Sequence, residues 1–450
     1  MFKILYANKD NTITDVSLDG NSPKTGSNQG KSEVLELYVL PFASGSDVGI
    51  SRILMQFDLS DLSQSIVDGD TPSSGVQYMM RLIDAPHAET LPTSFDIEVY
   101  PLSRSWDEGI GLSNFDENLQ DGGYSNWMNA TSLVSWTLTG SDYIAGEVSA
   151  SQHFDGGEGD LYVDMTNVVY AWLTGGMTNN GIVIKYLDAH EVGGNKLFTK
   201  KFFSTQAHVL GRHPRLEARW NGFKQDDRDN IKYGTSGSLF YYRMINGSPE
   251  NVAGPLFVDI FNSSSAVVQT ITSSLSEQGI YEASGVFVNY TGSTQIYRDV
   301  WFTAADQIFT GNFAPTYASG SDCINCDDIN VSIPNLKSEY IQGNKSLIRV
   351  FARPKDYRPA IRSSGSMENF PTFLKDAYYE VVNEKTNKVL VPFSTGSVKF
   401  SKLSYDSSGN YFELDTSNLL PGDLYRIRIL ANYNKQSLIF DKKNWVIKVS

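Results

Sequence analysis

Ser51–Leu62, SRILMQFDLSDL, is the stretch that decides the fold. Ile53, Met55, Phe57 and Leu59 fall on one face of an extended chain, and Arg52, Gln56 and Asp58 fall on the other. Leu54 is the one apolar exception on that second face. Successive side chains of a strand point to opposite faces, so apolar residues at a period of two mark a half-buried β-strand. The next two apolar runs repeat the pattern. Val76, Tyr78, Met80 and Leu82 alternate with Gln77 and Arg81, and Phe95, Ile97 and Val99 alternate with Asp96 and Glu98.

A chain of 450 residues is long enough for several domains, each with its own core. Its 24 Tyr and 24 Phe favour strands, and its 37 Gly serve the turns between them. The net charge of −14 argues against a nucleic-acid partner, whose phosphates demand a basic surface. A membrane-spanning helix needs about 18 or more apolar residues in a row, and no such run occurs, so no membrane is expected among the partners. Near the start, Ile4–Ala7 is far shorter than the roughly 7–15 residues of a signal-peptide core. The expectation is a protein without a classical secretion signal, which would leave a cell by another route such as lysis if it works outside one.

Residues 1–221 read as one domain of short strands separated by turn clusters such as DGDTPSSG. One helix stands out in YVDMTNVVYAWLTGG. Asp164 or Thr166 can cap it, Val168, Val169, Trp172 and Leu173 form its apolar face, and Gly175–Gly176 end it. A jelly-roll-like β-sandwich with one short helix satisfies these elements. Residues 222–325 and 326–450 each carry about the number of short strands of an immunoglobulin- or fibronectin-like sandwich. The polar stretch NGFKQDDRDNIKYGTSG reads as the linker into the first of them. In the second, Leu419 and Tyr425 flank Pro421–Gly422 as in a tyrosine corner, and Leu275 and Tyr281 repeat the spacing in the first without the proline. The fold class expected is all-β throughout.

Several stretches of the first domain resemble the DNRLRE-type β-sandwich modules grouped with carbohydrate-binding families. They are NQG (28–30) before VLEL, SRILMQFDLSDL, IEVYPLSRSWDEG, DMTNVVYAWL, and NNGIVIKYL with PRLEARW, in that order. This resemblance implies a framework and a habit of decorating surface proteins, and it transfers no binding site. LFYYRM, VWFT, VFARPKDY and DAYYEVVNE are similar to segments of uncharacterised virion structural proteins of tailed phages, notably contractile-tailed phages of marine cyanobacteria. That resemblance implies a virion location and other virion proteins as partners, in a homo-oligomer or symmetric assembly.

Candidate sites are few. Trp106, Asp107, Glu108, Asn126 and Trp127 lie on the long segment 103–131, where exposed indoles beside polar partners would form a platform for a surface glycan. Core packing is the competing reading of both tryptophans, and the stronger one for Trp136 and Trp172. Asp155, Glu158, Asp160 and Asp164 in HFDGGEGDLYVD offer oxygens on a bendable loop, which suits calcium, although the spacing is not that of an EF-hand and a solvated turn is the plainer account. No other cofactor is expected. Cys323 and Cys326 form a lone CxxC with no partner set for zinc, so free thiols or a local disulfide are expected. Lys200, Lys201, Arg212, His213, Arg215 and Arg219 make a small basic stretch, read as a solvated strand face, with contact to an acidic partner subunit as the alternative. No nucleophile elbow, phosphate loop or H-E-x-x-H occurs, and Asp107 with Glu108 is a poor glycosidase pair.

The sequence therefore points to a non-enzymatic virion structural protein, an assembly or decoration module attached to capsid, neck or tail. The alternative is a carbohydrate-binding adhesin or fibre segment that contacts the host surface.

Overall fold

Strand alternation in Ser51–Leu62 leads directly into the observed sheet. Ile53, Met55 and Phe57 are buried and Arg52 and Gln56 are partly exposed, and Leu54 is buried as well. The structure, a computed structural model, describes residues 1–450 except 17–24, 42–47, 89–93, 113–123, 147–149, 192–197, 229, 288–294, 316–328, 356–372 and 434–435. Two compact units are present. One holds Lys3–Ser65 and Ser74–Arg219, and the other holds Met1–Phe2, Ile66–Ser73 and Trp220–Ser450.

The first unit is built on strands β1 (Phe2–Thr14), β2 (Val34–Pro41), β3 (Val48–Phe57), β4 (Gln77–Leu82) and β5 (Phe95–Pro101). It continues with β6 (Ala150–Phe154), β7 (Leu161–Asp164), β8 (Ile182–Tyr186), β9 (Phe198–Phe203) and β10 (Arg215–Arg219). They form one sheet in the order β6-β5-β8-β3-β1-β10-β4-β7, with β2 joined to β3 and β9 to β2. A bridge from Asp84, just past β4, to Phe202 on β9 brings the path back on itself. The sheet thus curls to near closure as a jelly-roll-like sandwich.

Two details of the helices differ from expectation. Strand β3 ends at Phe57, and Ser60–Val67 forms helix α1, because the Asp58 carboxylate accepts from Ser60 N (2.9 Å) and starts a turn there. That bond holds the Asp58 carboxyl below its usual range. Helix α2 (Thr166–Leu173) buries Val168, Val169 and Trp172 as expected. Thr166 does not cap it, since its hydroxyl accepts from Tyr78 N (2.9 Å), while Asp164 accepts from Thr166 N (2.9 Å).

The basic stretch is corrected. Arg215, Glu217 and Arg219 are buried, because β10 lies inside the sheet between β1 and β4. Glu217 sits between the two guanidinium groups, 2.8 Å from Arg215 Nε and hydrogen-bonded to Arg219. Buried charges persist only when paired in this way.

The second unit holds two sandwiches. Strands β11 (Ser236–Tyr242), β12 (Met244–Ile245), β13 (Ser248–Pro249), β14 (Phe257–Phe261), β15 (Val267–Thr272), β16 (Ser274–Glu277), β17 (Ile280–Val286), β18 (Tyr297–Phe302) and β19 (Gln307–Phe313) make the first. Its sheets run β11-β17-β16 and β15-β14-β18-β19, around a core that includes Leu239, Val258, Ile260 and Trp301. Strands β20 (Ile329–Ser332), β21 (Glu339–Tyr340), β22 (Lys345–Pro354), β23 (Ala377–Asn383), β24 (Val389–Val391), β25 (Ser404–Asp406), β26 (Gly409–Asp415), β27 (Leu424–Tyr433) and β28 (Gln436–Val449) make the second. Its sheets run β20-β22-β26-β25 and β21-β28-β27-β23-β24. Paired, mainly antiparallel sheets of three to five strands are the immunoglobulin- and fibronectin-like architecture.

The stretch expected to be a linker is docked instead. Gln225 bridges in parallel to Tyr405, Asp226 N donates to Tyr405 O (3.0 Å), and the Tyr405 hydroxyl donates to Asp227 (2.8 Å). Lys224 and Asp226 are both buried, Lys224 paired with Glu277 (2.7 Å) and Asp226 with Arg228 (3.2 Å). The corner at Tyr425 forms, and its hydroxyl accepts from Leu420 N (2.7 Å). The proposed repeat at Tyr281 does not. Leu275 is exposed as its cross-strand partner, and the Tyr281 hydroxyl accepts from Val252 N (2.7 Å), far upstream.

Phe57→Ala removes a fully buried ring and should destabilise the first unit by about 3–5 kcal/mol, read by chemical denaturation. An unchanged midpoint would place Phe57 outside the core. Tyr425→Phe should cost about 1–3 kcal/mol, because it strands the Leu420 N–H without its acceptor.

Candidate contact surface

The chain between β5 and β6 lies across the outer face of β3. That face is apolar, because Leu54 on β3, Val183 on β8 and Ile13 on β1 all point into one cluster. Trp106, Trp127 and Trp136 supply its cover. Trp106 donates from Nε1 to Asn180 O (3.0 Å) and lies under the Lys9 ammonium, 4.3 Å from the ring centre. Trp127 lies under the Arg52 guanidinium, and Trp136 donates from Nε1 to Asn126 O (2.8 Å). Arg52 also donates to Gly140 O (3.0 Å) and pairs with Glu191 (2.7 Å). Gly140 has φ +84°, and a Cβ there would stand 2.8 Å from the Trp127 ring, so only glycine fits.

The expected sugar platform is corrected by this burial. Trp106, Asn126 and Trp127 are buried, and the Asn126 amide oxygen is spent on the backbone N–H groups of Met128 (2.9 Å) and Asn129 (2.8 Å). Glu108 is half-buried in an ion pair with Lys31 (2.5 Å), and Asp107 is exposed, its N–H bonded to Ala130 O (3.0 Å). The five residues share one loop layer, but they hold it onto the sheet. Shortening segment 103–131 would uncover Leu54 rather than leave the fold intact; residues 113–123 of it lie outside the described residues.

NQG and SRSWDEG also meet, which their separation in sequence conceals. Asn28 Oδ1 accepts from Gly111 N (2.9 Å), Lys31 N donates to Gly111 O (2.9 Å), and a Cβ on Gly30 would stand 2.0 Å from Gly109 O. Beside this joint, Asp10 on β1 is wholly buried. One carboxylate oxygen accepts from Thr205 N (2.7 Å), and burial pushes its carboxyl up to about 7.

The acidic loop does not gather its carboxylates. Asp160 pairs with Arg81 (2.7 Å), Asp164 accepts at the start of α2, and Asp155 is exposed. The loop encloses a cation of the protein's own. Lys200, fully buried, donates to Gly157 O (2.8 Å) and Gly159 O (2.9 Å) and pairs with Asp84 (2.5 Å). Among the described residues, no three His, Cys, Asp or Glu side chains group as metal ligands. Cys323 and Cys326 lie outside the described residues. In the second unit, a cavity of about 50 Å³ between Lys224, Lys402, Tyr379 and Tyr411 is too small for a sugar ring.

The same loop layer that hides its aromatics exposes aliphatics. Residues 128–136 form a tight hairpin, with Asn129 bridged to Ser135, Ala130 N bonded to Val134 O (2.8 Å) and Trp136 N bonded to Met128 O (3.0 Å). Trp136 points in, while Leu133 at the tip is 93% exposed and Leu138 just beyond is 70% exposed. Met128 and Val134 on the hairpin, and Ile110 and Leu112 elsewhere in the layer, are exposed too. From Tyr124 to Ser141 there is no charged side chain. Arg104 beside the hairpin is neutralised by Asp142 (3.2 Å). Nothing in the sequence separated Leu133 from the buried tryptophans around it; a run of 18 uncharged residues in a strongly acidic chain was the available signal.

No protein-family model matches the chain, and no curated protein matches it. Similar solved structures include the Ig1-2 module of a Drosophila receptor protein tyrosine phosphatase, DLAR, at 12% identity and TM-score 0.16, over 49% of this chain and 91% of that one. A two-domain fibronectin type III segment of chicken tenascin is 12% identical at TM-score 0.15, over 47% of this chain and 95% of that one. A Salmonella alpha-2-macroglobulin is 10% identical at TM-score 0.17, over 88% of this chain and 22% of that one. TM-scores this low carry no weight, and the sandwiches are identified by their own strand order and register.

Asp10 gives the first unit a pH dependence of definite sign. Its folded pKa lies above the unfolded value near 3.8, so its contribution is fully present at low pH and is lost as pH rises through about 7. Asp15, pushed up to about 6 by burial, acts in the same direction. The thermal midpoint of the first unit should fall from pH 5 to pH 8, and Asp10→Asn should flatten that slope while keeping the acceptor for Thr205 N. An equal slope in the variant would show that Asp10 is ionised throughout.

Proposed function

We propose that the chain is a non-enzymatic interaction module of adhesin or fibre type, which engages a protein surface through the aliphatic hairpin of residues 128–138. The observation that carries this reading is the exposure of Leu133 and Leu138 on an uncharged surface directly above buried tryptophans. Apolar side chains clustered in exposed positions mark contact sites more often than scattered ones do. A protein partner is favoured over a glycan because the indoles that would stack on sugar are used inside the layer. The two immunoglobulin-like sandwiches serve in this reading as a spacer. We place the module on a phage virion, as a capsid, neck or tail attachment released on lysis, and the support for that place is the resemblance of LFYYRM, VWFT and DAYYEVVNE to virion proteins.

Two measurements test the reading. The protein should co-purify with its particle in a fixed ratio, and Leu133→Asp combined with Leu138→Asp should abolish incorporation while circular dichroism stays unchanged. A glycan array should stay blank; a signal lost on Tyr124→Ala, the half-exposed aromatic of this layer, would move the function to carbohydrate binding.

A further inference from the structure

Resting on the hairpin as the contact surface, we propose that its occupant is the same hairpin of a second copy of this chain, in a two-fold symmetric contact. The argument comes from charge. Each copy carries −14, so two copies repel across most of their surfaces. A two-fold contact sets each residue near the axis opposite its own equivalent, and any charged side chain there would meet its like. The surface between Tyr124 and Ser141 avoids this, because it carries no charged side chain at all. The neighbouring cations are committed: Arg104 is held by Asp142 and by Ser135 O (2.8 Å), and Arg52 by Glu191 and Gly140 O (3.0 Å).

Other occupants fit less well. Recognition of a different, charged protein gains specificity and speed from complementary charges, and the segment from Tyr124 to Ser141 offers none. A lipid surface would be met by basic residues beside the apolar tip. Here Thr131, Ser132, Ser135, Thr137 and Thr139 interleave with the aliphatics instead. That mixture of leucines with uncharged hydroxyls is chemically self-complementary: leucine packs on leucine, and hydroxyls pair with hydroxyls or with the hairpin carbonyls.

The test is sedimentation velocity of the full chain over a concentration series. A dimer is expected, and it should tighten as salt is raised, because salt screens the repulsion between acidic copies and leaves the apolar contact intact. Leu133→Asp with Leu138→Asp places like charges across the axis and should weaken the dimer on the order of 100-fold. Val267→Asp, an exposed residue on β15 of the second unit, should leave it unchanged. If the aspartate pair disturbs the circular dichroism spectrum, Leu133→Ser with Leu138→Ser decides instead. A wild type that stays monomeric at the highest concentration, a dimer indifferent to both hairpin variants, or a dimer that weakens with salt would each overturn the proposal. So would co-sedimentation of a monomer with neutral phosphatidylcholine vesicles, which would assign the hairpin to a lipid surface. Failure here is distinguishable from failure of the interaction reading: a monomer whose hairpin variants still lose particle incorporation would keep the contact surface and change only its occupant.

Discussion

Enclosure of Arg52 on the outer face of β3, where only 11% of its side chain still meets water, is the constraint on which the first unit depends. A guanidinium taken out of water must have its donors met, or the cost runs to several kcal/mol. Glu191 supplies the carboxylate, Gly140 a carbonyl, and Trp127 a ring face. These partners come from two separate parts of the chain, the loop layer and the turn after β8, so satisfying one side chain fixes where both must lie against the strand. Leu54 adds the apolar reason for the same cover.

The same principle recurs at other buried charges of this unit. Lys185, fully buried on β8, pairs with Asp188 (2.6 Å) and lies near Glu98 and Glu191. Lys200 is wrapped by the glycine carbonyls of the acidic loop, and Glu217 is held between Arg215 and Arg219. A strand shifted by one residue would turn each of these charges to the opposite face and leave it unpaired. Net stability gained from such pairs is small, but alternatives to the native register are heavily penalised. In the second unit Trp301 and Tyr425 are fully buried in their sandwiches, Trp301 donating to the buried Asp299 (2.8 Å) and the Tyr425 hydroxyl closing its corner.

This economy has a consequence for contact. Aromatic and charged groups, the usual currency of recognition, are largely committed to the interior of the loop layer. Aliphatic side chains and hydroxyls are left at its surface. Contacts made there draw on shape and desolvation, and they are insensitive to the charge of the surroundings except through the long-range repulsion between whole molecules.

The sequence by itself determined the strand phases, the helix over Thr166–Leu173, the all-β class and the corner at Tyr425, because each depends on periodicity or spacing within a few residues. It did not determine which face of a strand would see water. Leu54 was the only mark that the polar-looking face of β3 was covered, and the tryptophans of segment 103–131 could be read as exposed until a cover was required there. The basic face of β10 looked solvated because alternation cannot tell a central strand from an edge strand. The acidic loop could be read as a solvated turn or as a calcium loop because the cation it encloses, Lys200, stands some forty residues away. Tertiary structure alone decided these points, since burial of a charge or an indole depends on partners that are distant along the chain and adjacent only once it has folded.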